Sequence, residues 1–255
     1  MIRDSWRLAV GTLTAVPVRP PTVVDRRRTG LAMVLAPVAT APLGVAVAVI
    51  GYAGVRLDLP PLVVAVLAIG VVVLGNRAFH VDGLADTVDG LASSYDRERA
   101  LAVMKTGTSG PAGVVAIVLV IGLQSAGMAS VLAGPHALRA AVLAGLSVCV
   151  SRVALVLCCA RGVPSARPGG LGDTYTQTVP RPLVVLVWLV GAVVLAAAGR
   201  AAGLDWWRGA LAVVVAAVAV GVLVARAIRR LGGVTGDVFG AAVELALAAL
   251  LVGLS

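Results

Sequence analysis

A chain of 255 residues that is 60% hydrophobic and only 13% charged, with a mean hydropathy of +1.02, is not a soluble globular protein, because such domains carry about 25% charged residues. The length suits an all-α bundle of about seven membrane-spanning helices, each of about 20 residues, and leaves no room for a separate soluble domain; residues 1–255 are therefore read as one polytopic domain embedded in a lipid bilayer. A net charge of +9 would point to nucleic acid in a soluble protein, but here the charges sort by loop, and no nucleic-acid partner is expected.

Residues 1–30 open with a basic segment bearing Trp6, continue through an apolar stretch from Leu8 to Val18, and end in Pro-rich and then Arg-rich sequence. The apolar part is too short to span, and no small-residue cleavage site precedes a polar mature domain. An interfacial or re-entrant cytoplasmic segment is expected, with Trp6 at the headgroups. Arg26, Arg27 and Arg28 then hold the start of the first span at the anionic inner leaflet, each worth about 1 kcal/mol.

Spans are expected near 31–54, 59–79, 111–132, 137–160, 183–199, 206–225 and 238–254. Of the 21 Lys and Arg residues, Arg56, Arg139, Arg200 and Arg208 fall in outer loops, Arg152 falls within a span, and the others fall in cytoplasmic segments. The positive-inside rule then places the N-terminus inside and the C-terminus outside. Cys149, Cys158 and Cys159 share one apolar span, have no metal-ligand spacing and imply no disulfide.

Phe79 to Gly90, reached directly from the second span, concentrates chemistry. Asp82, Asp86 and Asp89 stand at i, i+4 and i+7, within roughly 60° of one another on a helix. Exposed like charges so placed repel by a few tenths of a kcal/mol per pair, and more where the site is partly dry. In a soluble protein three such acids would be read as a solvated face; in so apolar a chain they are read as a cation site. Oxygen-only ligands favour Mg²⁺ or Mn²⁺ over zinc. His80 lies about 200° around the helix from Asp82, which argues against shared ligation. Two readings stay open for it: a general base, or a neutral structural histidine at the end of the span.

From Leu91 to Gly110 the chain is at its most polar. Thr106 to Gly110 suits either a phosphate cradle or helix capping by Thr108 or Ser109. Arg152, inside a span, is expected to be paired or functional. The glycine-rich loop from Arg161 to Pro182 has the length of a lid or binding loop. In the last loop, Asp237 is read as a fourth metal or substrate group facing Asp82, Asp86 and Asp89, and Glu244 as a buried partner reaching toward Arg152. Lys105, Arg161 and Arg167 are the basic groups available on the same face to bind substrate.

Four regions in order carry a resemblance to a known family. They are Leu13-Thr14-Ala15-Val16-Pro17-Val18; His80-Val81-Asp82-Gly83-Leu84-Ala85-Asp86-Thr87-Val88-Asp89-Gly90-Leu91 with Asp96-Arg97 and Met104-Lys105; Ala166-Arg167-Pro168 with Gly170-Leu171-Gly172; and Gly232-Gly233-Val234-Thr235-Gly236-Asp237 with Gly240-Ala241-Ala242 and Glu244. The chain resembles the cobalamin synthase family over nearly its whole length. The resemblance implies Mg²⁺-dependent transfer in the last steps of cobalamin biosynthesis: the 3′-hydroxyl of α-ribazole or its 5′-phosphate attacks the cobinamide-linked phosphorus of adenosylcobinamide-GDP, and GMP leaves. It also implies a bacterial or archaeal inner-membrane enzyme with its site on the cytoplasmic side, either a homo-oligomer or in complex with other cobalamin-assembly enzymes. One departure is the lack of an acid in Thr106 to Gly110, where the family usually has an aspartate.

Two other classes share features with the chain. Asp86-Thr87-Val88-Asp89-Gly90 opens like the metal motif of CDP-alcohol phosphotransferases, but Ala92-Ser93-Ser94 stands where Ala-Arg is expected, and the paired downstream aspartates are missing. A cation transporter would use Arg152 and Glu244, yet the acids gather at one face and no inverted repeat is visible.

Overall fold

The computed structural model describes residues 1–255, with Leu171 described through its backbone alone, and the described residues form helices without a named strand. In order these are α1 (Ile2–Leu13), α2 (Arg26–Ala39), α3 (Ala41–Arg56), α4 (Pro61–Gly75), α5 (Phe79–Ser93), α6 (Arg97–Val103), α7 (Pro111–Leu132), α8 (Ala137–Ser151), α9 (Ala154–Cys158), α10 (Leu171–Tyr175), α11 (Arg181–Ala202), α12 (Trp206–Leu231) and α13 (Gly236–Leu254).

Six stretches are long and apolar enough to cross a membrane: Arg26–Arg56, Pro111–Leu132, Ala137–Cys158, Arg181–Ala202, Trp206–Leu231 and Gly236–Leu254. The expected second span is a bent pair, Pro61–Gly75 with Phe79–Ser93, which taken as one broken span brings the number to seven. The 15 residues of α4 rise only about 22 Å, short of a hydrocarbon core about 30 Å thick, and α5 then turns off by 88°. Arg77 (φ 60°) and Ala78 (φ 57°) make the bend in the left-handed region, which non-glycine residues occupy only when their surroundings hold them there. The end of α1 and the residue after its cap do so: the Ala15 N–H donates to the Gly75 carbonyl at 2.6 Å, and Arg77 Nη2 donates to Gly11 O at 2.9 Å.

The N-terminal segment is an amphipathic helix and not a span. Leu8, Ala9, Val10 and Leu13 are buried, α1 packs on α2, and Trp6 stays exposed. Asp4 ties down the return of the chain, because the Thr22 N–H and hydroxyl both donate to its Oδ1 at 3.1 Å and Arg28 Nε lies 3.4 Å from Oδ2. The hydrogen bond from the Thr22 backbone, aided by Arg28, holds the Asp4 carboxyl below its usual pKa. Asp25 caps α2 by accepting the Arg28 N–H at 2.8 Å, and α2 with α3 forms one run interrupted at Thr40.

The buried centre is α8, α9 and α13, while α7, α11 and α12 turn most of their apolar surface outward. Val185, Leu186, Leu189, Val190 and Val193 of α11 are exposed together. Such a face is a liability in water and an ordinary lipid-facing surface in a bilayer. Across the N-terminal ends of α7 and α13 lies α5, bent 88° away from α4. Its crossing with α13 needs two glycines: a methyl group on Gly83 would stand 2.7 Å from Asp237 O, and one on Gly240 would stand 2.9 Å from His80 Cα.

Candidate active site

Two loops meet where α5 crosses α13. The 161–180 loop and the turn before α13 are joined by bridges between Ser165 and Val234, with the Ala166 N–H donating to Val234 O and the Val234 N–H to Pro164 O, each at 2.9 Å. Thr235 caps α13 by accepting the Val238 N–H, and its hydroxyl donates to Asp237 Oδ2 at 3.1 Å. Asp237 is thus not the helix cap and keeps its carboxylate for the site. It borders a cavity of about 290 Å³, together with Phe79, Ser165, Arg167, Gly170 and Thr235.

The structure brings Asp82, Asp86 and Asp237 toward one another. Asp82 is exposed and Asp86 half-buried on the outer face of α5. Burial first, and then the charges of Asp82, Asp237 and Asp89, push the Asp86 pKa up to about 6, with Arg167 opposing them. Crowded oxygen donors of this kind fit a hard dication such as Mg²⁺. The fit lies in donor chemistry and charge: among the described residues, no three His, Cys, Asp or Glu side chains stand close enough to hold a metal ion as placed.

Asp89 departs from the expected set. It is buried, its Oδ2 accepts the Gly110 N–H at 2.6 Å and its Oδ1 accepts the Gly113 N–H at 2.8 Å. Both oxygens therefore satisfy free N–H groups at the start of α7, the work of a helix cap supplied from another helix. A readable signal existed: α7 begins Gly110-Pro111, with no capping side chain of its own.

His80 is also placed apart from the aspartates, on the inner side of α5. It is 2% exposed, with Nδ1 3.2 Å from Asn76 Nδ2 and 3.8 Å from Glu244 Oε1. Of the two readings left open for it, the position matches the structural one. Glu244 is not paired with Arg152 as expected. Gln124 Nε2 donates to its Oε2 at 2.8 Å and to its backbone carbonyl at 3.0 Å, while Arg152 Nη1 donates to Val148 O at 2.8 Å and Ser151 Oγ at 2.7 Å. Gln124 takes one Glu244 oxygen and the α8 backbone takes Arg152 Nη1, while Glu244 Oε1 and Arg152 Nε and Nη2 are left without hydrogen-bond partners among the described residues. Gln124, a polar residue in an apolar span, was the overlooked signal.

Among the basic candidates, Arg167 lines the Asp237 cavity and a second one of about 430 Å³, which Lys105 and Glu98 also line. Arg167 Nη2 donates to Leu101 O, which holds the side chain between the two cavities. Arg161 borders neither; its carbonyl accepts from Arg181 Nε at 3.0 Å at the base of the loop. Two arginines outside the expected substrate-binding set tie this face together: Arg97 Nη2 donates to Ala166 O at 3.1 Å, and Arg230 stacks 4.1 Å over the Tyr95 ring and donates to Ser94 O.

Fold and site together define a multi-pass membrane protein that offers carboxylates and an arginine to a polar ligand at one end of its bundle, an arrangement suited to enzymes that handle phosphoanhydrides. Comparison with known proteins is specific. The cobalamin-5-phosphate synthase family matches residues 5–255. A Nocardioides protein named adenosylcobinamide-GDP ribazoletransferase is 52% identical over 251 residues, 98% of both chains. Proteins of the same name from Pseudomonas aeruginosa and Frankia casuarinae are 38% identical (98% of this chain, 97% of the relative) and 34% identical (96% and 92%). No solved structure matches. The chain belongs to the cobalamin-5-phosphate synthase family.

Proposed function

We propose that the chain is the transferase that joins adenosylcobinamide-GDP to α-ribazole, or to its 5′-phosphate, and releases GMP. The observation that carries this reading is that the family's arginine-bearing, glycine-rich and Asp237-bearing segments, far apart in sequence, meet around the cavity of about 290 Å³ that Phe79 also borders, with Asp82 and Asp86 within electrostatic reach of Asp237 and Arg167. The site is proposed to face the cytoplasm of an inner membrane, since the basic residues gather on the side of α5 and the 161–180 loop.

Asp82, Asp86 and Asp237 would hold Mg²⁺ directly or through water, and the ion would supply neutralisation of the diphosphate. The chain's own residues do the rest. Arg167 positions a phosphate between the two cavities. The ribose 3′-oxygen forms its bond to the cobinamide-linked phosphorus as the bond from that phosphorus to the bridging oxygen breaks, and GMP departs with the bonding electrons. The hydroxyl proton passes to a carboxylate oxygen of the cluster that the ion leaves free. Such transfer depends mainly on positioning and charge stabilisation.

The test is to incubate the purified protein with adenosylcobinamide-GDP, α-ribazole 5′-phosphate and Mg²⁺ and to follow GMP. Stoichiometric GMP and cobalamin 5′-phosphate are expected; absence of both would reject the reading.

A further inference from the structure

We propose that the cavity of about 430 Å³ between α6 and the 161–180 loop is the guanine-nucleoside subsite, and that Glu98 reads the base. The inference rests on the ribazoletransferase reading and adds how two nucleoside-bearing substrates are told apart. Glu98, Lys105 and Arg167 line this cavity among Leu101, Ala102 and Pro168. Among the described residues, neither the Glu98 nor the Lys105 side chain is engaged in an ion pair. Both are free to meet a ligand.

Size and continuity narrow the occupant. A corrinoid is too large for about 430 Å³, whereas a nucleoside falls in the range of ligands that pockets of 300–1,000 Å³ enclose, as a rough guide. Arg167 lines this cavity and also the one bordered by Asp237. Its Nε is buried without a partner. A nucleoside seated beside Glu98 would therefore lead its phosphates past Arg167 toward the aspartates, the path that a dinucleotide-like anhydride requires.

Base chemistry then separates the candidates. Guanine presents its N1–H and 2-amino donors side by side and its O6 as acceptor. A carboxylate accepts from both donors at once, and an ammonium group donates to O6. The benzimidazole of α-ribazole has no N–H and only one free ring-nitrogen lone pair, which a carboxylate would repel. Glu98 and Lys105 thus complement guanine and not the lower-ligand base. The competing account is that Glu98 only favours the first turn of α6.

The experiment compares adenosylcobinamide-GDP with its inosine analogue, which lacks the 2-amino group, using the full-length wild type and the Glu98→Gln and Glu98→Ala variants. In the wild type the inosine analogue should show a KM about tenfold to a hundredfold higher, the value of one charge-assisted hydrogen bond. In both variants the two KM values should converge, with kcat and the KM for ribazole phosphate nearly unchanged. Discrimination that survives both substitutions, or a shift confined to the KM for ribazole phosphate, would overturn the assignment. Wild-type protein that turns over neither analogue would instead reject the transferase reading, and equilibrium binding of GDP against IDP to wild type and Glu98→Gln would still decide the role of Glu98: an undiminished preference for GDP in the variant counts against it.

Discussion

The two faces of α5 carry polar groups under opposite conditions. On the outer face Asp82 and Asp86 stand with Asp237 as crowded like charges beside an open cavity, and the crowding shows in the raised pKa of Asp86. On the inner face His80 meets Asn76 and Glu244, with Gln124 and Arg152 in the same interior, all nearly inaccessible. The inner set is tied together in part by the protein itself, through Asn76 to His80, Gln124 to Glu244 and Arg152 to Val148 and Ser151, while Asn76 Oδ1, Gln124 Oε1, Glu244 Oε1 and Arg152 Nε and Nη2 have no hydrogen-bond partner among the described residues. On the outer face three acids meet one arginine, Arg167, which leaves negative charge for a cationic ligand to balance. One helix therefore joins a structural anchor to a reactive surface.

Breaking the outer face should have the largest effect. Asp86→Ala and Asp237→Ala are each expected to lower turnover by about 10³-fold, while membrane insertion and thermal unfolding in detergent stay near wild type. Near-normal turnover in both would show that the acids are only a polar surface.

On the inner face the loss should appear as stability. Glu244→Ala removes the side-chain acceptor of Gln124 and the carboxylate nearest His80; a cost of about 1–3 kcal/mol is expected from the polar groups left unsatisfied, measured by denaturation in detergent. An unchanged unfolding midpoint would remove the anchor from the account.

Asp89 sharpens the comparison because it belongs to the acidic stretch by sequence and to the framework by contact. Asp89→Ala should cost about 1–2 kcal/mol as a lost helix cap and reduce turnover less than Asp86→Ala does. A turnover loss equal to that of Asp86→Ala without any loss of stability would return Asp89 to the ligand set.

A smaller effect concerns pH. Asp86 retains its proton up to about pH 6, so its ionised form is disfavoured in the fold, and any stability from the protonated form is lost as pH rises through that value. Cation binding needs the ionised form and runs the other way. The Mg²⁺ concentration for half-maximal activity should rise as pH falls below about 6; a requirement that is flat from pH 7 to pH 5 would count against Asp86 as a ligand.

Much of this was legible in the sequence, for identifiable reasons. Hydropathy and length revealed the bundle, because an apolar span must satisfy its backbone by itself. Scarcity made Asp82, Asp86 and Asp237 conspicuous. The bend at Arg77 and Ala78 was hidden, since neither residue type advertises a left-handed conformation and the contacts that hold it come from the end of α1 and the residues that follow it. The framework contacts of Asp89 were hidden because its spacing matches its neighbours while its partners, Gly110 and Gly113, are backbone groups that leave no side-chain signature. The Gln124 contact with Glu244 is a matter of which helices become neighbours, which periodicity does not encode.

The most direct test of the division between the two faces is turnover at saturating substrates for Asp82→Ala and His80→Gln, measured side by side across pH. The account predicts a loss of about 10³-fold for the aspartate and less than about tenfold for the histidine, with an unchanged pH profile, since a lost general base would cost about 10²–10⁴-fold. The reverse order, with His80→Gln the more damaging and its loss least at high pH, would contradict it.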